Sequence, residues 1–289
     1  MNTDKFILSC ISNYPLSDAV TDYSSWLAKN TKFRLKVLHT LIPDRKPNKS
    51  DLSGSIGIGA KSELLADLVE KDIEKNKVRL EKGKVALNNS VKLAKTHGVV
   101  QMETCLRKGK LIETLQDFEN ETAITVIGRY GKKTHENRGN AYNLGDHVEK
   151  IIKNINSPIF VVAGEYQEPK NAMVLYNGSR ASRKVIQFIV NNDAFKKVKI
   201  HTVHISDNKE KSEQILKVAS NYLTRKEHAH ECHYLAGDPI KVAAKYSRES
   251  HIDIIVMGAY SHNGWYSKLF GSFTSQVLKE CHKPMLLLR

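Results

Sequence analysis

Several features that often decide a protein's chemistry are scarce in this chain, and each scarcity closes off a class of function. The four cysteines, Cys10, Cys105, Cys232 and Cys281, lie far apart with no C-x-x-C pair. That spacing indicates neither a zinc knuckle nor a disulfide framework, and reads as small buried hydrophobes in a reducing compartment. No apolar run approaches the roughly 18 residues of a membrane span. The opening MNTDKFILSC has an early acid and no signal-peptide pattern, so a cytoplasmic location and no membrane partner are expected. Also missing are G-x-S-x-G, H-E-x-x-H and a spaced carboxylate pair, so nothing marks a catalytic nucleophile. Acids are few beside bases: 31 Asp and Glu against 45 Lys and Arg, a formal charge of +14. Such a balance favours anionic partners in general. Yet the lysines are dispersed among acids at helical spacing, as in Glu70-Lys71-Asp72-Ile73-Glu74-Lys75, and no helix-turn-helix, RNP or zinc-finger signature gathers them. A solvated helix face explains that pattern better than dedicated nucleic-acid binding.

What is present is an alternation of apolar runs and amphipathic stretches. An apolar content of 40% over 289 residues suffices for two ordinary domains. Strands are expected at 5–11, 33–41, 99–106, 123–127 and 159–163. Helices are expected at 15–29, 62–96 (with Gly83 as a candidate interruption), 111–118 and 145–154. After GEYQEPKN, a linker from Gly164 to Asn171, the order restarts. Strands follow at 172–176, 198–205, 228–235, 254–257 and 285–288, with helices at 180–190, 208–224, 238–249 and from Gly271. The two halves answer one another. VIGRY (Val126 to Tyr130) matches VMGAY (Val256 to Tyr260), LGDHVEKII matches FGSFTSQVL, and SPIFVV matches KPMLLL. Strands alternating with helices predict a parallel, doubly wound α/β sheet in each half, with domains at 1–165 and 171–289. Gly128 and Gly258 should then each end a central strand, and ligands should sit beyond the carboxyl ends near the switch in strand order. The GSIGIGAKS stretch (Gly54 to Ser62) differs from a Walker A loop by one extra residue, Ala60, which breaks the phosphate cradle; a loop entering the next helix is expected there.

The segment from Gly258 to Ser272 resembles the G-x2-G-x9-G-[ST] motif of the universal stress protein family, with Ser261 at its second glycine. GDPIKVA (Gly237 to Ala243), DIIVMGAY (Asp253 to Tyr260), GSFTSQVL, the closing PMLLLR and, in the first half, DLSGSIGIGA (Asp51 to Ala60) and LGDHVEKII extend the likeness over nearly the whole chain. The chain is similar to tandem, two-domain members. The resemblance implies two Rossmann-like domains, each a five-stranded parallel sheet flanked by helices, pairing as an intramolecular pseudo-dimer, with a further homodimer left open. It also implies a stress-response module acting through protein partners, with ATP, carrying Mg2+, as the candidate cofactor. By the resemblance, the nucleotide positions in the second half are Asn177, Ile205, Met257, Gly258, Ser261, Gly271, Ser272, Phe273 and Thr274. Asn177 stands where an aspartate is expected, and loses the charge that helps hold a metal. Slow ATP hydrolysis is the most activity the family implies, and no general base is evident. The first half departs further. Ser12, Asn13 and Tyr14 replace the expected Asp-Gly-Ser turn, and Asp146 stands where Ser or Thr is expected, where it would repel a phosphate. That half reads as a structural copy. A nucleotide-independent scaffold, using the basic surface for protein or nucleic-acid partners, is the alternative.

Two histidine groups also stand out. His228, His230 and Cys232 alternate on an expected strand and would share a face, which suits zinc, but no fourth ligand is visible and no metal set is assigned. His201 and His204 fall on opposite faces of another strand, one of them a core histidine.

Overall fold

The computed structural model describes residues 5–12, 16–31, 33–41, 58–129, 146–258 and 270–289. In the first half the chain runs β1 (Phe6–Ile11), α1 (Ser17–Asn30), β2 (Arg34–Leu41), α2 (Ile58–Thr96), β3 (Met102–Lys108), α3 (Leu111–Asp117), β4 (Thr122–Gly128), α4 (Asp146–Asn154) and β5 (Ile159–Val162). The second half repeats it: β6 (Asn171–Leu175), α5 (Arg180–Val190), β7 (Lys199–Ile205), α6 (Lys209–Arg225), β8 (His230–Leu235), α7 (Pro239–Glu249), β9 (Ile254–Gly258), α8 (Phe270–Cys281) and β10 (Met285–Leu288). The central strands are continuous apolar runs because helices cover both faces of the sheet: all six residues of β1 are buried, as are the first four of β9. Gly128 and Gly258 end β4 and β9, each a central parallel strand, as the repeat predicts.

All ten strands form one sheet in the order β3-β2-β1-β4-β5-β10-β9-β6-β7-β8. Read from its two edges, the order is the same motif twice. Each half is parallel throughout, and the two are joined by a single antiparallel pair that sets Leu286 of β10 beside Phe160 of β5. The expected five-stranded sheets are therefore present, fused into one mixed sheet. Both strands at the seam are four residues long and wholly buried. Alone, each would leave an apolar edge with open backbone groups, and pairing them removes both edges.

The core is continuous across that seam. On one face Ile7, Tyr23 and Phe160 of the first half share a cluster with Val174, Phe195 and Leu286 of the second. On the other, Leu8 and Ile127 share one with Met257 and Val277. Trp26 of α1 meets Phe195 edge-on at 5.8 Å between ring centroids. The connection at 164–170 lies on α1: Tyr166 packs on Tyr23 at 4.9 Å, and the Gln167 amide donates to the Tyr23 hydroxyl at 3.4 Å. The halves also exchange arginines. The fully buried Arg129, just after β4, donates to the Lys279 carbonyl near the end of α8 at 3.1 Å. In return Arg289, after β10, donates to the Lys153 carbonyl near the end of α4 at 2.9 Å and to Asn156 Oδ1 at 2.9 Å. A cation at a helix carboxyl end satisfies open carbonyls and complements the helix dipole.

Two local readings change. The helix expected at 62–96 begins at Ile58 and passes through Gly83 unbroken, taking Gly59 to Ser62 into its first turns. Gly83 is needed for closeness rather than flexibility: a Cβ there would meet His39 Cδ2 at 3.0 Å and Leu106 Cδ1 at 3.1 Å. The short 3-10 turn Asp193–Phe195, not foreseen, carries the buried Phe195 under α1.

Candidate functional site

The strand order reverses between β6 and β9, so a crevice is expected beyond their carboxyl ends. There the sequence builds a tight corner. The Tyr176 amide donates to the Val203 carbonyl at 2.9 Å, and His204 Nδ1 donates to the Tyr176 carbonyl at 2.6 Å, tying the end of β6 to β7. Asn177 is exposed, and its Oδ1 accepts the Ser179 amide at 3.1 Å. Gly178 turns the chain at φ +72°. Ser179 then caps α5, its Oγ accepting the Ser182 amide at 3.3 Å. Gly258, at the end of β9, meets this helix start so closely that a Cβ on it would lie 3.0 Å from Ala181 Cβ and 3.4 Å from its backbone carbon. The corner therefore joins Asn177, the amino end of α5 and Gly258.

On the opposite face of the sheet, Ile205, Met257 and Phe273 border one apolar cluster. Met257 is buried, Ile205 and Phe273 are half-buried, and Thr274 is buried on α8. Gly271 and Ser272 lie in the first turn of α8, their side chains outside the described set, and Ser261 lies outside the described residues altogether. Of the nine expected positions, then, Ile205, Met257 and Phe273 come together on one face and Asn177 and Gly258 on the other, around the ends of the same strands.

Neither α5 nor α8 carries an acid in its first turn. Instead Arg180, exposed, and Arg183 stand at the start of α5. Burial raises the Tyr176 hydroxyl's pKa, and the neighbouring Arg183 guanidinium opposes that rise. Two arginines at a helix amino end beside a glycine corner make a cationic surface suited to an anion. The sequence reading passed over them, although they follow Asn177 by one helical turn and two. The first half contrasts: α1 has Asp18 in its first turn and no side-chain cap. Between α1 and α2 lies an open groove of about 920 Å³, lined by Ser12, Asp18, Lys77, Val78, Glu81 and Val85 among others. Its charges are mixed, and its apolar wall is Val78 and Val85.

The His228, His230 and Cys232 alternation does not assemble a metal set. His230 bonds Ser220 Oγ at 2.9 Å and the His228 carbonyl at 2.8 Å, and the Cys232 thiol faces the Leu216 carbonyl at 3.9 Å. These groups are engaged by α6 and by the strand's own backbone. Both His201 and His204 are buried, where one core histidine was expected. All four cysteines are free, and burial pushes the Cys281 thiol up to about 11 and Cys10 higher still.

Residues 169–289 match the model of the Universal stress protein family. A curated relative, universal stress protein Slr1230 of Synechocystis, is 28% identical over 289 residues, covering 99% of this chain and 100% of its own. Residues 169–289 thus carry the likeness to the universal stress protein family, and the curated relative extends it along the chain. The alignment with that relative runs through the first half as well. In fold, a universal stress protein structure from Archaeoglobus fulgidus covers 99% of this chain and 96% of its own with a TM-score of 0.69 at 15% identity. A putative universal stress protein from Pseudomonas aeruginosa covers 98% of this chain and 92% of its own, with a TM-score of 0.63 at 14% identity. At those identities the structures speak for the fold of this chain alone. Among the described residues, no helix is long and apolar enough to cross a membrane.

Proposed function

We propose that this chain is a tandem universal stress protein, a non-enzymatic module that takes an adenine nucleotide of the ATP class in its second half. The nucleotide lies beyond the carboxyl ends of β6, β7 and β9. The observation that carries the reading is the cationic corner where Gly258 meets the start of α5, a helix whose first turn, like that of α8, holds no acid. The phosphates take the amino ends of the helices, Gly271, Ser272 and Ser261, with Arg180 supplying charge. The base packs against Ile205 and Met257, and Phe273 and Thr274 support it from α8. Asn177 is a turn residue here, since its carbonyl oxygen is engaged by Ser179. Mg2+ therefore enters with the triphosphate rather than through a protein carboxylate at this position. The first half acts as the structural partner.

The test is a heat scan of the purified full chain with and without Mg-ATP, after native mass spectrometry for co-purified nucleotide. A saturable rise in melting temperature, lost in Gly271→Asp and reduced in Arg180→Glu, is the expected result, because a ligand that binds only the folded state stabilises it. No bound nucleotide and no shift would overturn the reading and leave a scaffold that works through protein partners.

A further inference from the structure

On the α7 side of the sheet, away from the nucleotide corner, the register of β7 and β8 sets His201 directly beside Glu231. His233 follows two residues on, and so shares that face of the strand. The three side chains converge. His233 Nε2 lies 3.3 Å from Glu231 Oε2, and His201 Nδ1 lies 3.8 Å from the same oxygen. The two imidazoles are stacked, 14° from parallel with centroids 5.9 Å apart. One ligand atom from each residue falls within 4.8 Å of the other two, the one such group among the described residues.

From these contacts we infer a binding site for a divalent cation of the zinc class, formed by His201, Glu231 and His233. Zinc bonds nitrogen and carboxylate oxygen at about 2.0–2.2 Å, so the donors of a tetrahedral site lie roughly 3.3 Å apart. The two separations from Glu231 Oε2 already lie within about half an ångström of that edge. Two imidazoles and one carboxylate are the donor set of three-ligand zinc centres, which keep their fourth position for water. Here the fourth position faces solvent, because β8 is an edge strand and His233 and Glu231 are partly exposed.

The surroundings orient the donors. Asn171 Oδ1, 3.4 Å from His201 Nε2, accepts the proton on that nitrogen. This leaves the Nδ1 lone pair pointing to the other ligands. An outer partner of this kind fixes the tautomer a metal-binding histidine needs. The Tyr246 hydroxyl covers Nδ1 at 2.9 Å, and binding exchanges that hydrogen bond for the cation. Lys199 is in contact with Glu231 Oε1, so the carboxylate keeps Oε2 for the metal. The same ammonium repels the incoming charge, which sets a direction for one variant below. Its consequence for the fold is a clip between β7 and the edge strand β8.

The experiment is calorimetric titration of the tag-free, chelator-stripped full chain with Zn2+, repeated with Co2+ and read by its visible absorption. One ion per chain is expected, with the intense absorption of a four-coordinate Co2+ centre. Glu231→Gln and His233→Ala, both at partly exposed positions, should each weaken binding by about tenfold or more, since each removes a direct ligand. Lys199→Gln should tighten it, a result that a merely structural role for the cluster would not produce. His230→Ala, on the other face of the same strand, should leave it unchanged. Absence of binding at neutral pH, or binding equal in the Glu231→Gln and wild-type chains, would overturn the site. Neither outcome touches the nucleotide reading, which is measured separately and involves other residues.

Discussion

At the scale of single residues, the least replaceable side chain in the second half is the one Gly258 lacks. Its neighbour, Ala181, belongs to the first turn of a capped helix, and part of the contact is backbone, so it cannot step aside. Gly258→Val should destabilise the protein by about 1–3 kcal/mol, the usual range for overpacking. Gly128→Val should cost less, because Leu16 Cβ lies at 3.3 Å and the helix above it has no side-chain cap. Urea denaturation of the two variants checks the order; equal losses would mean that the corner is not the rigid element. A second residue-scale prediction concerns acid. His39 is buried beneath Gly83, and a hydrogen bond with the Ile11 backbone only partly offsets the effect of that burial on its charged form. Burial holds its pKa below the ordinary 6.5, as it does for His228. A histidine depressed in the folded state binds its proton more readily unfolded. Its contribution to stability is therefore full above about pH 6.5 and is lost as pH falls below that value. The melting temperature should fall between neutral pH and about pH 5, and His39→Gln should flatten part of that slope. A slope unchanged in the variant would assign the acid sensitivity elsewhere.

At the scale of elements, the helices of the second half are better begun than α1. Asp238 caps α7, accepting the amides of Ile240 at 3.1 Å and Lys241 at 2.9 Å, with Pro239 at the first helical position. Asn208 does the same for α6 through the Lys211 amide at 2.9 Å. Asp238→Ala should cost about 1 kcal/mol in urea unfolding, with Asp238→Asn close to neutral. If both variants lose the same amount, the carboxylate's charge matters more than its hydrogen bonds. The start of α7 was legible beforehand, because Gly237-Asp238-Pro239 announces a helix start from three adjacent residues. The strands were legible for a related reason: burial on both faces writes a continuous apolar run, as in β9 and β10. The faces of β8 were harder to read. Alternation groups His228, His230 and Cys232 correctly, but their partners Ser220 and Leu216 belong to α6, and that helix occupies their bonding groups. Glu231 and His233 point the other way, to His201 and Tyr246, and no spacing along β8 names a partner on β7 or α7.

At the scale of the molecule, two copies of one fold share a sheet and both of its hydrophobic layers. A shared core implies that the halves melt together, so the full chain should show a single unfolding transition by calorimetry; two resolved transitions would refute it. The isolated segment 169–289 would leave the edge of β10 without its partner β5, and should self-associate through that edge, as light scattering would report. A stable monomer of that segment would mean that the seam is dispensable. What the sequence by itself determined is the repeated order of strands and helices, the two glycines that end the central strands, and the family motif with its altered positions. Those are properties of neighbouring residues and of period, which the backbone obeys locally. Only the tertiary structure decided that β5 and β10 close one sheet, that Arg129 and Arg289 cap helices in each other's half, and that His201 meets Glu231 and His233. Each of these joins residues far apart in the chain, and such pairs are chosen by the removal of open edges, orphaned carbonyls and apolar surface, which exist only once the elements have packed.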